Sequence, residues 1–535
     1  MSQAEDSACV EQRDGNGART LPGVIENLRS PTSIADLPYE LLTLIFRELA
    51  AVDRPKTVPS PCGNPPVGRL LGWLHITHIC RHWRQIALEN ATLWCKINVN
   101  FGHKWAHEMI LRSRRAPLAI DYYVLNNAAG DDIRQDILEH ISHISSLSIM
   151  GESESFLNGL LPRLVEPAPM LTSLTLESLM PVIPSVAPEN IFSRISPNLR
   201  YLDLINICIP WTSTVFTNLT ELYVSIDIES FADFPPPIAY PSVTELLDAL
   251  DRMPHLEDLQ LLGMLPASGL QGPLTRSRRS VSLPELGILQ LSGPVLNCAA
   301  LLHHLEYPVT TGVKIFCICD VSLVHETDAI TPMITRHTQA RPRYVKVTMR
   351  ENEYRDPCVS VLSSPWTPTD GHWPNPREQF SMSWTHPGHE HDWTHMLSLL
   401  RTFFEVAMLD NIHTLAADGP VDDEQWRSII GDSCASATEV DVSCDGLVGL
   451  LSVLKAVTPV NAFPNIRTLD IREPSLSHLH NVPALEEVMQ TFAERKARGM
   501  PIQTLDISSW RHNPEWVEAV KAIVPIVKYN AEPPA

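Results

Sequence analysis

Apolar residues recur along the chain in two rhythms. Between Ser33 and Ile97 the spacing is that of helices. Asp36 can cap a helix, Pro38 is tolerated in its first turn, and Glu40 suits the positive end of the helix dipole. Leu41, Leu42, Ile45, Phe46 and Leu49 then form one apolar stripe. Ile76, Ile79, Cys80, Trp83 and Ala87 form a second, and Leu93, Trp94 and Ile97 a third short cluster. Five prolines (Pro55, Pro59, Pro61, Pro65 and Pro66) bar a continuing helix, so 54–72 reads as an exposed loop inserted between the first two helices. The expectation is an all-helical domain over 31–100 behind a polar, disordered leader at 1–30. Three helices this short bury little surface, and such a module needs a neighbour.

The second rhythm starts near residue 144. The pattern L-x-x-L-x-L, with Ile or Val allowed, begins at Ile144, Leu171, Leu199, Leu219, Leu256 and Leu286, and again at Ile466 and Ile502. Weaker copies are Val313/Ile315, Val345/Val347, Phe380/Met382, Leu415 and Val440/Val442. Helix-like segments lie between them, at Leu246/Leu247/Leu250, Leu301/Leu302/Leu305, Leu399/Leu400/Phe403 and Val488/Met489/Phe492. The first spacings are 27, 28, 20, 37 and 30 residues, which reads as an irregular leucine-rich-repeat solenoid. No single unit can bury its own apolar face, so stacking has to supply the core. The predicted fold is α/β: the small helical domain, a connecting helix and first repeat over 101–143, the array over 144–529, and a tail at 530–535. Trp516 to Val524 is expected to cap its open end.

In a strand the alternate side chains face away from the core. Those positions include Glu177, Tyr201, Asp203, Glu221, Tyr223, Asp258, Gln260, Asp470 and Asp506. They define a candidate groove, acidic and tyrosine-bearing, for a neutral or basic protein segment. The plainer alternative is that solvated strand faces are polar anyway.

Composition narrows the function. Proline is abundant (45 residues) and glycine scarce (23), so the chain is often punctuated but poor in phosphate-cradling loops. A net charge of −21 argues against general nucleic-acid binding, which needs a basic surface. No stretch suggests a secretory signal or a membrane span, and the eleven cysteines show no CxxC pair. A reducing cytoplasm or nucleus is the expected setting. No phosphate-binding, nucleophile-elbow or HExxH motif is present, so no enzyme, cofactor or metal centre is expected. His386, His389, His391 and His395 are of metal-ligating type, but their spacing matches no established motif and the expectation is a solvated surface cluster. Cys317 and Cys319 share one strand face and read as buried rung residues; Arg276, Arg278 and Arg279 read as a loop tip.

Leu37-Pro38-x-Glu40-Leu41-Leu42-x-x-Ile45-Phe46-x-x-Leu49, followed by Ile79-Cys80-Arg81-x-Trp83-Arg84-x-x-Ala87 and Leu93-Trp94-x-x-Ile97, resembles an F-box. The insertion at 54–72 departs from the pattern and is similar to that of the large F-box families of mushroom-type fungi. The resemblance implies that the apolar stripe packs on the Skp adaptor of a Skp–cullin–F-box ubiquitin ligase. Leu37, Pro38, Leu41, Leu42, Ile45, Phe46, Leu49, Cys80, Trp83 and Trp94 would then contact the adaptor or support that contact. The implied function is substrate recognition: the F-box holds the adaptor and, through it, cullin, while the repeats hold an unidentified protein target. The alternative is a non-catalytic repeat scaffold acting outside a ligase.

Overall fold

The computed structural model describes residues 34–529 apart from 35–36, 59–67, 125–129, 152–153, 180–183, 227–240, 267–278, 320–322, 340, 353–355, 368–378, 389–391, 431–433, 457–462, 473–484 and 510–513. The leader at 1–30, the Arg276 and Arg278 pair and the tail at 530–535 lie outside the described residues.

The first apolar stripe forms helix α1, Tyr39–Val52, and the second is divided between a 3-10 turn at Gly72–His78 and helix α2, Arg81–Glu89. Leu93 and Trp94 lie on a 3-10 turn rather than a third helix, and the next helix, α3, is His103–Ser113. The module is not all-helical. Lys56–Val58 and Gly68–Leu70, from the two ends of the insertion, pair antiparallel with Thr57 opposite Arg69. The prolines forbid a helix there but do not forbid two short extended arms. Ile97 lies in a strand, Lys96–Asn98, where it stands opposite Ile120 of the Leu118–Val124 strand. The helical module thus runs by backbone pairing into the rest of the molecule.

That remainder is a large, mostly parallel sheet. From Lys96–Asn98 it continues through Leu118–Val124, Ile144–Gly151, Ser173–Ser178, Tyr201–Ile205, Glu221–Ser225, Asp258–Leu262, Ile288–Pro294 and Gly312–Ile318. Its far part is Thr414–Asp418, Glu439–Ser443, Thr468–Arg472, Thr504–Asp506 and Ile526–Lys528, again parallel. Between these parts three strands stand in reverse of chain order. Gly312–Ile318 pairs with Phe380–Thr385, which pairs antiparallel with Pro357–Ser364; that strand pairs antiparallel with Tyr344–Glu351, which lies parallel to Thr414–Asp418. Among the described residues the two end strands do not pair with each other, so the sheet is open. The Trp516 to Val524 segment does not close it: helix Pro514–Lys521 leads to the further strand Ile526–Lys528.

The alternation seen in the sequence is the alternation of burial. Leu174 and Leu176, Leu202 and Leu204, Leu222 and Val224, and Leu259 and Leu261 all point into one continuous core. The helices cover that side. Val295–His303, Leu323–Thr338, Thr394–Val406, Asp423–Ile430, Cys444–Lys455 and Leu485–Ala497 pack each against the next. Local chemistry starts some of them cleanly. At Val243–Asp251 the Ser242 hydroxyl accepts from the Glu245 amide at 3.1 Å, and the Glu245 carboxylate accepts from the Ser242 amide at 2.8 Å. Among the described residues no helix is long and apolar enough to cross a membrane.

Candidate functional site

Two faces of this architecture can hold a partner, and their side chains are set up in different ways. In the helical module, Leu42 and Phe46 point inward and are fully buried. Phe46 packs its ring 5.1 Å from that of Trp83 on α2. Trp94 donates from Nε1 to the Ala87 carbonyl at 2.8 Å, lies edge-on to Trp73, and carries the Arg112 guanidinium 4.5 Å above its ring. Cys80 caps α2 by accepting from the Trp83 amide. Leu42, Phe46 and Trp94 are therefore the support, with Leu37, Leu49 and Trp83 half-buried around them.

The opposite side of α1 is bare. Tyr39, Leu41, Leu44 and Ile45 are each 43–46% exposed, and Ile79, just ahead of α2, is 60% exposed. Residues 41, 44 and 45 are three and four apart and share one helix face. Pro38 and Cys80 are exposed beside them. Burying the remaining surface of such a Leu or Ile is worth about 1 kcal/mol per side chain, half the value for full burial. Sequence pattern alone put 41, 42, 45, 46 and 49 in one stripe; the structure divides it into an inward ridge at 42 and 46 and an outward ridge at 41, 44 and 45. Leu44 and Ile79 join the outward set.

On the sheet, register brings most of the candidate groove together. Ser173, Tyr201, Glu221 and Asp258 form one row across four strands, and Thr175, Asp203, Tyr223 and Gln260 form the next. The Tyr201 hydroxyl donates to Asp203 at 3.3 Å, and the Tyr223 hydroxyl lies 3.1 Å from Glu221 and 3.0 Å from Asp258. Gln260 donates to Asp258 at 3.2 Å, and the two tyrosine rings are 5.5 Å apart. Burial raises the Asp203 carboxyl, opposed by the Tyr201 hydrogen bond; burial and then Asp203 raise Glu177. Tyr201 is pushed up to about 12, by burial first and then by Asp203, and Tyr223 is raised by burial and by its bond to Asp258. Among the described residues no lysine or arginine pairs with Glu177, Asp203 or Glu221. This face can accept a cation.

Asp470 and Asp506 are not part of that cluster. Eight strand spacings separate the Asp258 and Asp470 strands in the sheet order, which at about 4.8 Å each is roughly 40 Å along the sheet. Their surroundings also differ. Asp506 pairs with Lys528 at 3.5 Å, Arg472 pairs with Asp441, and Lys346 pairs with Asp418 at 3.3 Å. One acidic groove expected from the sequence is two acidic areas, the second partly neutralised.

Two of the four clustered histidines are not solvated either. His386 and His395 are buried, with rings 4.9 Å apart, and His395 Nε2 lies 2.9 Å from a Glu326 carboxylate oxygen. Cys319 is beside them; its sulfur, a Glu326 oxygen and a His395 nitrogen lie within 4.8 Å of one another. His389 and His391 lie outside the described residues. Cys317 and Cys319 are buried at a strand end, and Arg279 is held by Asp248 at 2.7 Å and Asp251 at 2.5 Å.

Comparison with known families agrees with the geometry of the helical module. The F-box-like family matches residues 34–100, the span that holds α1, the paired arms and α2. The chain therefore carries an F-box-like domain joined to a mixed α/β region with a large, mostly parallel sheet. F-box domains bind the Skp adaptor within Skp–cullin–F-box complexes. No curated protein matches the chain.

Proposed function

We propose that this chain is the substrate-recognition subunit of a Skp–cullin–F-box ubiquitin ligase, acting in the cytoplasm or nucleus and without an active site of its own. The observation that carries the reading is the bare apolar face of α1 on an intact F-box-like core. Leu41, Leu44, Ile45 and Ile79 are exposed where a fold with no partner would bury or replace them. The sheet, read as an irregular leucine-rich-repeat solenoid, is the target-binding part. Its tyrosine and carboxylate face between Glu177 and Asp258 suits a basic segment of that target. The mechanism is tethering: one rigid chain holds the cullin scaffold through the Skp adaptor at one end and the target at the other. The target lysine thereby gains a high effective concentration near the charged conjugating enzyme.

Exposure makes the test clean. Leu41→Asp combined with Ile45→Asp removes apolar surface without opening the core, so the circular dichroism spectrum is unchanged and the stability stays within about 0.5 kcal/mol of wild type. Capture of the Skp adaptor and cullin by the tagged chain is expected to fall by at least tenfold. Phe46→Ala, by contrast, empties the core and lowers stability by about 3–5 kcal/mol. Undiminished adaptor capture by the double variant refutes the proposal. Capture of adaptor without cullin by the wild type favours a scaffold outside any ligase.

A further inference from the structure

Two neighbouring strand–helix units end in the same way. Strand Gly312–Ile318 is followed by Cys319, and its helix Leu323–Thr338 presents Glu326 in the first turn. Strand Phe380–Thr385 is followed by His386, and its helix Thr394–Val406 presents His395 in the first turn. The strands are parallel and adjacent, with Ile318 opposite Thr385 and the Cys319 amide donating to the Thr385 carbonyl at 2.9 Å. Four side chains of metal-ligating type therefore meet at one end of the sheet, though up to 76 residues separate them in the chain.

We propose that Cys319, Glu326, His386 and His395 form a structural binding site for a zinc-type divalent cation. All four are only 3–5% exposed, which is the closed setting of a structural rather than a catalytic metal. Three donor atoms, one from each of Cys319, Glu326 and His395, already lie within 4.8 Å of one another. Ligands at about 2.0–2.3 Å from a tetrahedral ion stand roughly 3.4–3.8 Å apart, so small side-chain movements bring these three onto one ion. His386, its ring against that of His395, supplies the fourth ligand.

Charge balance favours the same assignment. The Glu326 carboxylate already gathers the other two donors, with His395 Nε2 at 2.9 Å and the Cys319 thiol hydrogen-bonded to it. A thiolate, a carboxylate and two neutral imidazoles around a doubly charged ion sum to zero, which removes the cost of burying separate charges. Binding displaces to solvent the Cys319 thiol proton and any proton shared between Glu326 and His395. The mixture of sulfur, nitrogen and oxygen donors selects zinc over the all-oxygen preference of calcium or magnesium. The ion would pin the two units to each other where the sheet departs from chain order, beside the Pro357–Ser364 and Tyr344–Glu351 strands that follow in the sheet.

The full-length chain, purified from zinc-supplemented cells, should hold about one zinc by elemental analysis. Chelation followed by zinc re-addition should restore a melting temperature several degrees higher than that of the metal-free chain. Cys319→Ser and His395→Ala should each hold less than about a tenth of an equivalent, and His386→Ala should weaken zinc binding by roughly tenfold or more. Because a variant can fail to fold, cobalt is added to the metal-free wild type as a second measurement. A thiolate-to-cobalt charge-transfer band, lost in Cys319→Ser, is the expected signature. A wild type that takes up neither metal overturns the proposal, and so does zinc retained in full by Cys319→Ser or a cobalt spectrum without the band.

Discussion

Asp470 sits on the sheet face among groups that oppose its ionisation. Burial is the main cause and Asp506 the next; Lys528 pulls the other way and Glu439 adds a smaller push, leaving the carboxyl at about 6. Arg472 lies 4.0 Å away but is engaged by Asp441. The folded chain therefore binds this proton more tightly than the unfolded one. The resulting stability is fully present below the unfolded value near 4 and is lost as pH rises through about 6. At pH 7 the half-buried charge is a net cost. Asp470→Asn should raise stability there by about 1 kcal/mol, a figure reduced for screening at a side chain still 36% exposed, and should change little below about pH 4. Urea denaturation at the two pH values reads the difference, and an equal shift at both would place the effect in packing. Nothing in the sequence marked Asp470 off from Asp258; only the neighbours across the strands distinguish them.

At the level of elements, the sequence was most informative where one rule repeats. The rungs from Ile144 to Leu286 fall on parallel strands because inward side chains at period two must be apolar once the connecting helices, 3-10 turns and loops cover that side. Pro357–Ser364 escaped notice although Val359 and Val361 alternate inward, since an antiparallel strand entered from its partner lacks the leading L-x-x-L approach. Ile526–Lys528 is too short to show a period. The reversal of strand order was not legible, and with it the meeting of Cys319, Glu326 and His395, because which strands become neighbours is decided by long-range packing. Gly419 marks where the reversed group rejoins the parallel sheet. It follows strand Thr414–Asp418 at φ 104°, and a Cβ there would run into the Met349 carbonyl oxygen of the neighbouring strand. Gly419→Ala should cost about 2–3 kcal/mol in chemical denaturation, combining backbone strain with the clash. Gly499, at φ 79° but with open space around it, isolates the strain alone, and Gly499→Ala should cost about 1 kcal/mol. Equal losses would mean that the close approach at Met349 relaxes freely.

Across the whole molecule, the net charge of −21 acquires a direction. Towards the C-terminal end of the sheet, Lys346, Arg472 and Lys528 answer the carboxylates. Asp203, Glu221 and Asp258 accept from tyrosine hydroxyls, and among the described residues no lysine or arginine pairs with Glu177, Asp203 or Glu221, so the oxygens of Asp203 and Glu221 are organised without their charge being cancelled. A partner that supplies the missing cations gains both desolvated charge pairs and two aromatic faces. If the sheet holds the target, the double change Asp203→Lys with Glu221→Lys should cut target recovery at least tenfold in affinity capture under proteasome inhibition, and leave Skp adaptor recovery intact. Leu41→Asp with Ile45→Asp should do the reverse. Raising the wash from about 0.15 M to about 1 M salt shortens the screening length from roughly 8 Å to 3 Å; it should release the target and spare the apolar adaptor contact. Target capture that survives both the charge reversal and the salt would move the recognition surface off this face, while loss of both partners together would show that the two ends do not bind independently.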